Sequence, residues 1–193
     1  MIRHGPLWAG ECLTDQEMWD NAVAVVRREY TALSVGLKAE VGATADLIRH
    51  KKAEIFSLTE NKGAPEFCGN CGGACCARGK YHFTVVDLLV FFSGNVTLFT
   101  PSFHGDLCPY MGNGKCLMPP SFRPLTCIVF HCETLENLLS SAELERMYAL
   151  ERGLRDHYAH LESLFGTRFT QGLLLNYSGY LHGRRRGILT INC

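Results

Sequence analysis

The sequence predicts a mostly α-helical fold: a helical scaffold around a cysteine-rich, loop-dominated middle, with at most one small β-hairpin. Three observations carry this. Apolar residues recur at three- and four-residue steps through the first and last thirds of the chain. The outermost of these stretches open on capping-box pairs, Thr14 with Glu17 and Ser140 with Glu143. The middle third is broken by glycine and proline and holds eight of the ten cysteines.

At 193 residues the chain fits a single domain, 1–193, with a real hydrophobic core. It divides into N-terminal helices (1–63), a cysteine-cluster segment (64–133), and a C-terminal helix with a basic tail (134–193). In the first helix Trp19, Ala22, Val23, Val26, Tyr30 and Leu33 share one face, and Gly36 is expected to end or bend it. A second helix follows, with Leu37, Val41, Ala45, Ile48, Ile55 and Leu58 on one side and Lys38, Glu40, Arg49, Lys51 and Glu54 among its polar positions. Gly63 and Pro65 mark its end. Both helices read as scaffold.

Within the middle segment, Thr84 with Asp87 makes a third capping pair. It leads a short apolar helix through Val85, Leu88, Leu89, Phe91 and Phe92 that Ser93 and Gly94 terminate. Asn113-Gly114 is a hairpin turn signal that would fold Cys108 and Cys116 towards each other. In the last third, Leu144, Met147, Leu150, Leu154, Tyr158, Leu161 and Phe165 form a long periodic face that stops at Gly166. The remainder, 167–193, holds four arginines (Arg168, Arg184, Arg185, Arg186) and no acidic residue, a local charge of +4 read as a solvated loop or a counter-charge to the middle segment.

Charge and hydropathy exclude several classes. Nineteen basic and nineteen acidic residues give a formal net charge of zero, which argues against nucleic acid or an anionic membrane surface as the main partner. No stretch approaches the ~18 to 20 apolar residues of a membrane span. The first residues carry no apolar run of signal-peptide length, so the expected location is cytoplasmic. There, clustered cysteines serve more often as metal ligands or redox groups than as structural disulfides.

The cysteines fall into two groups. Cys68, Cys71, Cys75 and Cys76 stand in CGNCGGACC, where a C-x2-C pair with glycines between lets a tight loop bring two thiolates to one ion. Side chains of neighbouring residues diverge, so one of Cys75 and Cys76 is expected to serve a second site or a multinuclear cluster. The second group is Cys108, Cys116, Cys127 and Cys132. Together these are eight thiols, enough for two four-cysteine sites or for one cluster with further ligands. Phe67, Phe83, Phe91, Phe92, Phe99, Phe103, Phe122 and Phe130 flank them and would keep water from a cluster or form the core around zinc. His82, His104 and His131 lie in the same region, although a lone histidine is more commonly a surface or core residue. Cys12 and Cys193 stand outside the groups and read as incidental thiols.

This ordered set resembles the YkgJ-type cysteine-cluster family, described as a zinc- or iron-chelating domain. Its hallmark is C-x2-C-x2-CC, then Cys-Pro, a further Cys, and Arg-Pro-x-x-Cys. Here these elements are Cys68, Cys71, Cys75-Cys76, Cys108-Pro109, Cys116 and Arg123-Pro124-Leu125-Thr126-Cys127, closing with Phe130 and Cys132. The first motif is one residue longer than the hallmark, and Ile128 follows Cys127 where the family often has arginine. The resemblance spans about the middle third and implies metal chelation by the eight cysteines, without implying a reaction.

The expectation is therefore a cytoplasmic metal-binding protein. An iron–sulfur cluster is preferred over Zn2+, because eight cysteines with an adjacent pair suit multinuclear ligation. Electron transfer or redox sensing with a protein partner would follow. The alternatives are a zinc-stabilised interaction module and a metal-dependent enzyme of unknown reaction. Whether the chain is an enzyme stays open, and no catalytic residue is nominated. Arg123 is the one residue assigned to the cofactor besides the ligands, as a neutraliser of thiolate charge.

Overall fold

A capping box opens the first helix of the computed structural model, which describes residues 13–64, 79–105, 108–113, 115–165, 171–184 and 186–189. Thr14 Oγ1 accepts the Glu17 N–H, and the Glu17 carboxylate accepts the Thr14 N–H at 2.8 Å. Helix α1 (Asp15–Ala32) then buries Trp19, Ala22 and Val26. It stops at Leu33, before Gly36, because the next residue starts a new helix. Ser34 Oγ accepts the Leu37 N–H at 3.3 Å, which places Gly36 inside the first turn of α2 (Val35–Glu60).

Helix α2 is the central strut. It buries Val41, Ala45, Ile48 and Ile55 as expected, together with Thr44, Lys52 and Thr59. It packs against α3 (Val85–Ser93), α4 (Leu125–Val129) and the long α6 (Ser141–Phe165). Thr84 and Asp87 form the expected capping box of α3, and Gly94 is its C-cap. Seven of its nine residues are buried, so this helix is the middle of the core rather than an amphipathic surface element. Phe83, Phe91, Phe99, Tyr110 and Trp19 meet around it with ring centroids 5.0–6.0 Å apart.

The hairpin forms at the expected turn. Strand β1 (Met111–Gly112) pairs antiparallel with β2 (Lys115–Cys116), and Asn113 takes a positive φ of 51°. Its register sets Met111 opposite Cys116, and Cys108 lies three residues before the hairpin. Short α4 follows, then α5 (Glu133–Glu136) and α6, whose capping pair is Ser140 with Glu143. Helix α6 buries Met147, Leu154, Tyr158, Leu161 and Phe165.

The basic tail contains a helix that the sequence reading passed over, α7 (Leu173–Leu181). It packs on α1 and on the 3₁₀ turn Gly79–Tyr81. Leu173 N–H donates to Phe83 O at 2.6 Å, and a side chain at Gly172 would come within 2.4 Å of Tyr81 O. This close approach holds the segment 79–84 in place. Beyond α7, the Glu29 carboxylate accepts the N–H groups of Ile188 and Leu189 at 3.0 and 2.6 Å, tying the chain end to α1. Among the described residues, no helix is long and apolar enough to cross a membrane.

Candidate metal centre

The first cysteine group, Cys68, Cys71, Cys75 and Cys76, lies outside the described residues, as do Cys12 and Cys193. The described residues resume at Gly79, three residues after Cys76. Gly79–Tyr81 makes a 3₁₀ turn that the His82 N–H closes onto Gly79 O at 2.9 Å. Lys80 anchors it from one side by donating to Asp15 Oδ2 at 2.8 Å, and α7 anchors it from the other.

Two cysteines of the second group approach this turn. Cys108 Sγ lies against the Gly79 backbone, within 2.4 Å of where a β-carbon would sit, so only glycine admits the thiol there. Cys127, inside α4, has its Sγ 3.6 Å from His82 Nδ1. Tyr110, almost fully buried and under the electrostatic influence of both thiols, donates its hydroxyl to Lys80 O at 3.0 Å. Burial holds the Tyr110 hydroxyl well above its ordinary pKa, and negative charge at Cys108 and Cys127 pushes the same way. Burial also lowers the pKa of His82, which favours its neutral imidazole.

The other two cysteines sit apart. Cys116 is half-buried on β2, and Cys132 is exposed at the N-terminal end of α5. Among the described residues, no three His, Cys, Asp or Glu side chains converge as a complete ligand set. Arg123 packs its guanidinium over the Phe56 ring at 5.1 Å and reaches Met118 O at 3.4 Å, which ties the 118–123 loop to α2. His104 is exposed, and His131 is half-buried next to Cys132.

Behind Cys127 lies a group of charges that sequence reasoning missed. Lys52 on α2 and Asp87 on α3 are both 0% exposed, and Lys52 Nζ donates to Asp87 Oδ1 at 3.0 Å. The Tyr158 hydroxyl on α6 donates to the same oxygen. Asp87 Oδ2 accepts the Thr84 N–H at 2.9 Å and the Thr84 hydroxyl at 2.7 Å, so one carboxylate holds four donors. The Lys52 ammonium also lies 5.3 Å from the centre of the Tyr158 ring. Burial drives the Lys52 pKa down and the Tyr158 pKa up. The Asp87 charge opposes the first shift and reinforces the second, and negative charge at Cys127 acts on both groups in the same sense as Asp87. The signal was present in the sequence: Lys52 falls four residues after Ile48 and three before Ile55, on the apolar face of α2, and Asp87 interrupts an otherwise apolar helix.

The arrangement offers soft sulfur donors and one neutral imidazole at the mouth of the turn that follows the first cysteine group, backed by a buried cation. Among the described residues, these soft donors would suit zinc or iron better than a hard cation, which demands oxygen ligands. No family model matches the chain, and neither does any curated protein or solved structure.

Proposed function

We propose that the chain is a cytoplasmic metal-binding protein whose cysteines hold an iron–sulfur centre, with Zn2+ as the alternative metal, and that it acts in electron transfer or redox sensing with a protein partner. One observation carries the reading. Cys108 and Cys127, nineteen positions apart, both approach the turn at 79–82, which begins three residues after Cys76 in the sequence, and this supports a shared centre for the two groups. The resemblance to the YkgJ-type cysteine-cluster family points the same way.

Cys68, Cys71, Cys75, Cys76, Cys108, Cys116, Cys127 and Cys132 are the ligands in this reading, and a bound cluster would supply one-electron chemistry. Tyr110 and the surrounding aromatic rings form an apolar wall beside Cys108 and Cys127 in this reading. Lys52 offsets thiolate charge at Cys127 from below. Arg123, which holds the loop between Cys116 and Cys127 against α2, is the neutraliser of thiolate charge in this reading. A zinc-stabilised interaction module is the second reading, favoured by Phe130, which is 58% exposed between Cys127 and Cys132 and would suit a protein partner.

Serine substitution at single cysteines tests the proposal, with metal per chain measured on protein purified without oxygen. C108S and C127S are expected to lose most of the metal, while C12S keeps it. Full metal retention in both C108S and C127S would refute the assignment of the second group.

A further inference from the structure

His82 and Cys127 stand at the separation of two ligands on one ion. A tetrahedral site with a metal–sulfur distance of ~2.3 Å and a metal–nitrogen distance of ~2.05 Å sets its sulfur and nitrogen about 3.6 Å apart. His82 Nδ1 and Cys127 Sγ are 3.6 Å apart. We propose that His82 is itself a metal ligand, binding through Nδ1 to the same ion as Cys127, so that the centre is a mixed thiolate and imidazole site rather than an all-cysteine one. The inference rests on the metal-binding reading above and sharpens it.

Three features of the fold support it. The His82 backbone is fixed by its N–H bond to Gly79 O and by the neighbouring Phe83, which is fully buried, and the His82 side chain is itself half-buried. Cys127 is fixed from the opposite side by α4, which packs on α2. The approach of Cys108 Sγ to Gly79 brings a second thiol to the turn that carries His82. A histidine in place of one thiolate makes the centre less negative by one charge, and in two-iron clusters such replacement raises the reduction potential.

Co2+ binding to the full chain tests the inference, since cobalt takes the same ligands as zinc or iron and reports them in its visible spectrum. Protein stripped of metal and kept reduced is titrated with Co2+ alone. Wild type is expected to show thiolate-to-cobalt charge transfer. H82A is expected to bind about tenfold more weakly or worse, because even loss of an outer partner of a metal ligand costs about 10- to 100-fold. H82C retains a donor at the position and guards against a folding defect in H82A. It is expected to recover tight binding with one more thiolate's worth of charge-transfer intensity. Charge transfer in wild type with unchanged affinity and ligand-field bands in H82A, or unchanged charge-transfer intensity in H82C, would overturn the assignment of His82 and leave the cysteine reading standing. Absence of charge transfer in wild type would overturn both.

Discussion

Exchanging Asp87 for asparagine perturbs the core at its most demanding point, and the structure states what should happen. One carboxylate serves Lys52 and Tyr158 at Oδ1 and the Thr84 N–H and hydroxyl at Oδ2. An amide has one carbonyl oxygen, so its NH2 must face one of these donor pairs. It also leaves the Lys52 ammonium buried without a counter-charge, a loss of about 3–5 kcal/mol. Weakening the Thr84 cap of α3 adds about 1 kcal/mol. The sum, on the order of 4–6 kcal/mol, is comparable with the whole stability of a typical domain. Lys52→Met is milder, near 3 kcal/mol, because Asp87 then keeps three donors from Tyr158 and Thr84. The double variant K52M/D87N removes both charges, and the asparagine is free to turn its oxygen to Thr84 and its NH2 to the Tyr158 hydroxyl oxygen. It should therefore be more stable than D87N alone, which requires a coupling larger than the ~3 kcal/mol cost of K52M by itself. Urea unfolding at pH 7, followed by circular dichroism under reducing conditions, measures the cycle. A double variant that folds where D87N does not gives the same answer. Additive losses within about 0.5 kcal/mol, or a D87N cost below about 1 kcal/mol, would refute the account of this network.

Other consequences follow from single contacts. Burial holds the Tyr158 and Tyr110 hydroxyls above their ordinary pKa of 10.0, so the folded chain retains protons that the unfolded chain loses, and stability falls as pH rises above about 10. Y158F should cost about 1 kcal/mol at pH 7 and show a shallower alkaline decline than wild type, read as urea midpoints between pH 9 and 11; an equal slope would contradict the buried hydroxyl. Gly172→Ala sets a β-carbon 2.4 Å from the Tyr81 carbonyl oxygen, in backbone that cannot swing aside, and should cost about 1–3 kcal/mol in thermal or urea unfolding. Glu29→Ala removes the acceptor of the Ile188 and Leu189 N–H groups and should speed hydrogen exchange at those two amides well beyond any change in the α2 core.

The helices with strong local signals were readable in advance. Capping boxes at Thr14, Thr84 and Ser140 open α1, α3 and α6, and the apolar periods along α1, α2 and α6 match the faces that the fold buries. The break between α1 and α2 was misplaced because Gly36 is an obvious helix breaker, whereas the capping hydroxyl of Ser34 decides the boundary. Helix α7 was passed over because it is short and flanked by arginines, and it owes its place to packing on α1 and on the turn at 79–81. At the candidate centre, spacing nominated the cysteines as ligands but said nothing of their neighbours. His82 reaches Cys127 from 45 positions away, and Lys52, Asp87 and Tyr158 meet from three helices. The sequence marks Lys52 and Asp87 only as charged residues on apolar helix faces; which groups they meet depends on how the helices pack.

Iron, zinc and acid-labile sulfide per chain, measured on anaerobically purified protein with a visible spectrum of the same sample, test the central claim most directly. The account predicts iron and sulfide in near-equal amounts and a broad visible band that bleaches on reduction. Colourless protein carrying zinc and no sulfide would contradict the iron–sulfur assignment, and protein with neither metal and with its thiols paired would contradict metal binding altogether.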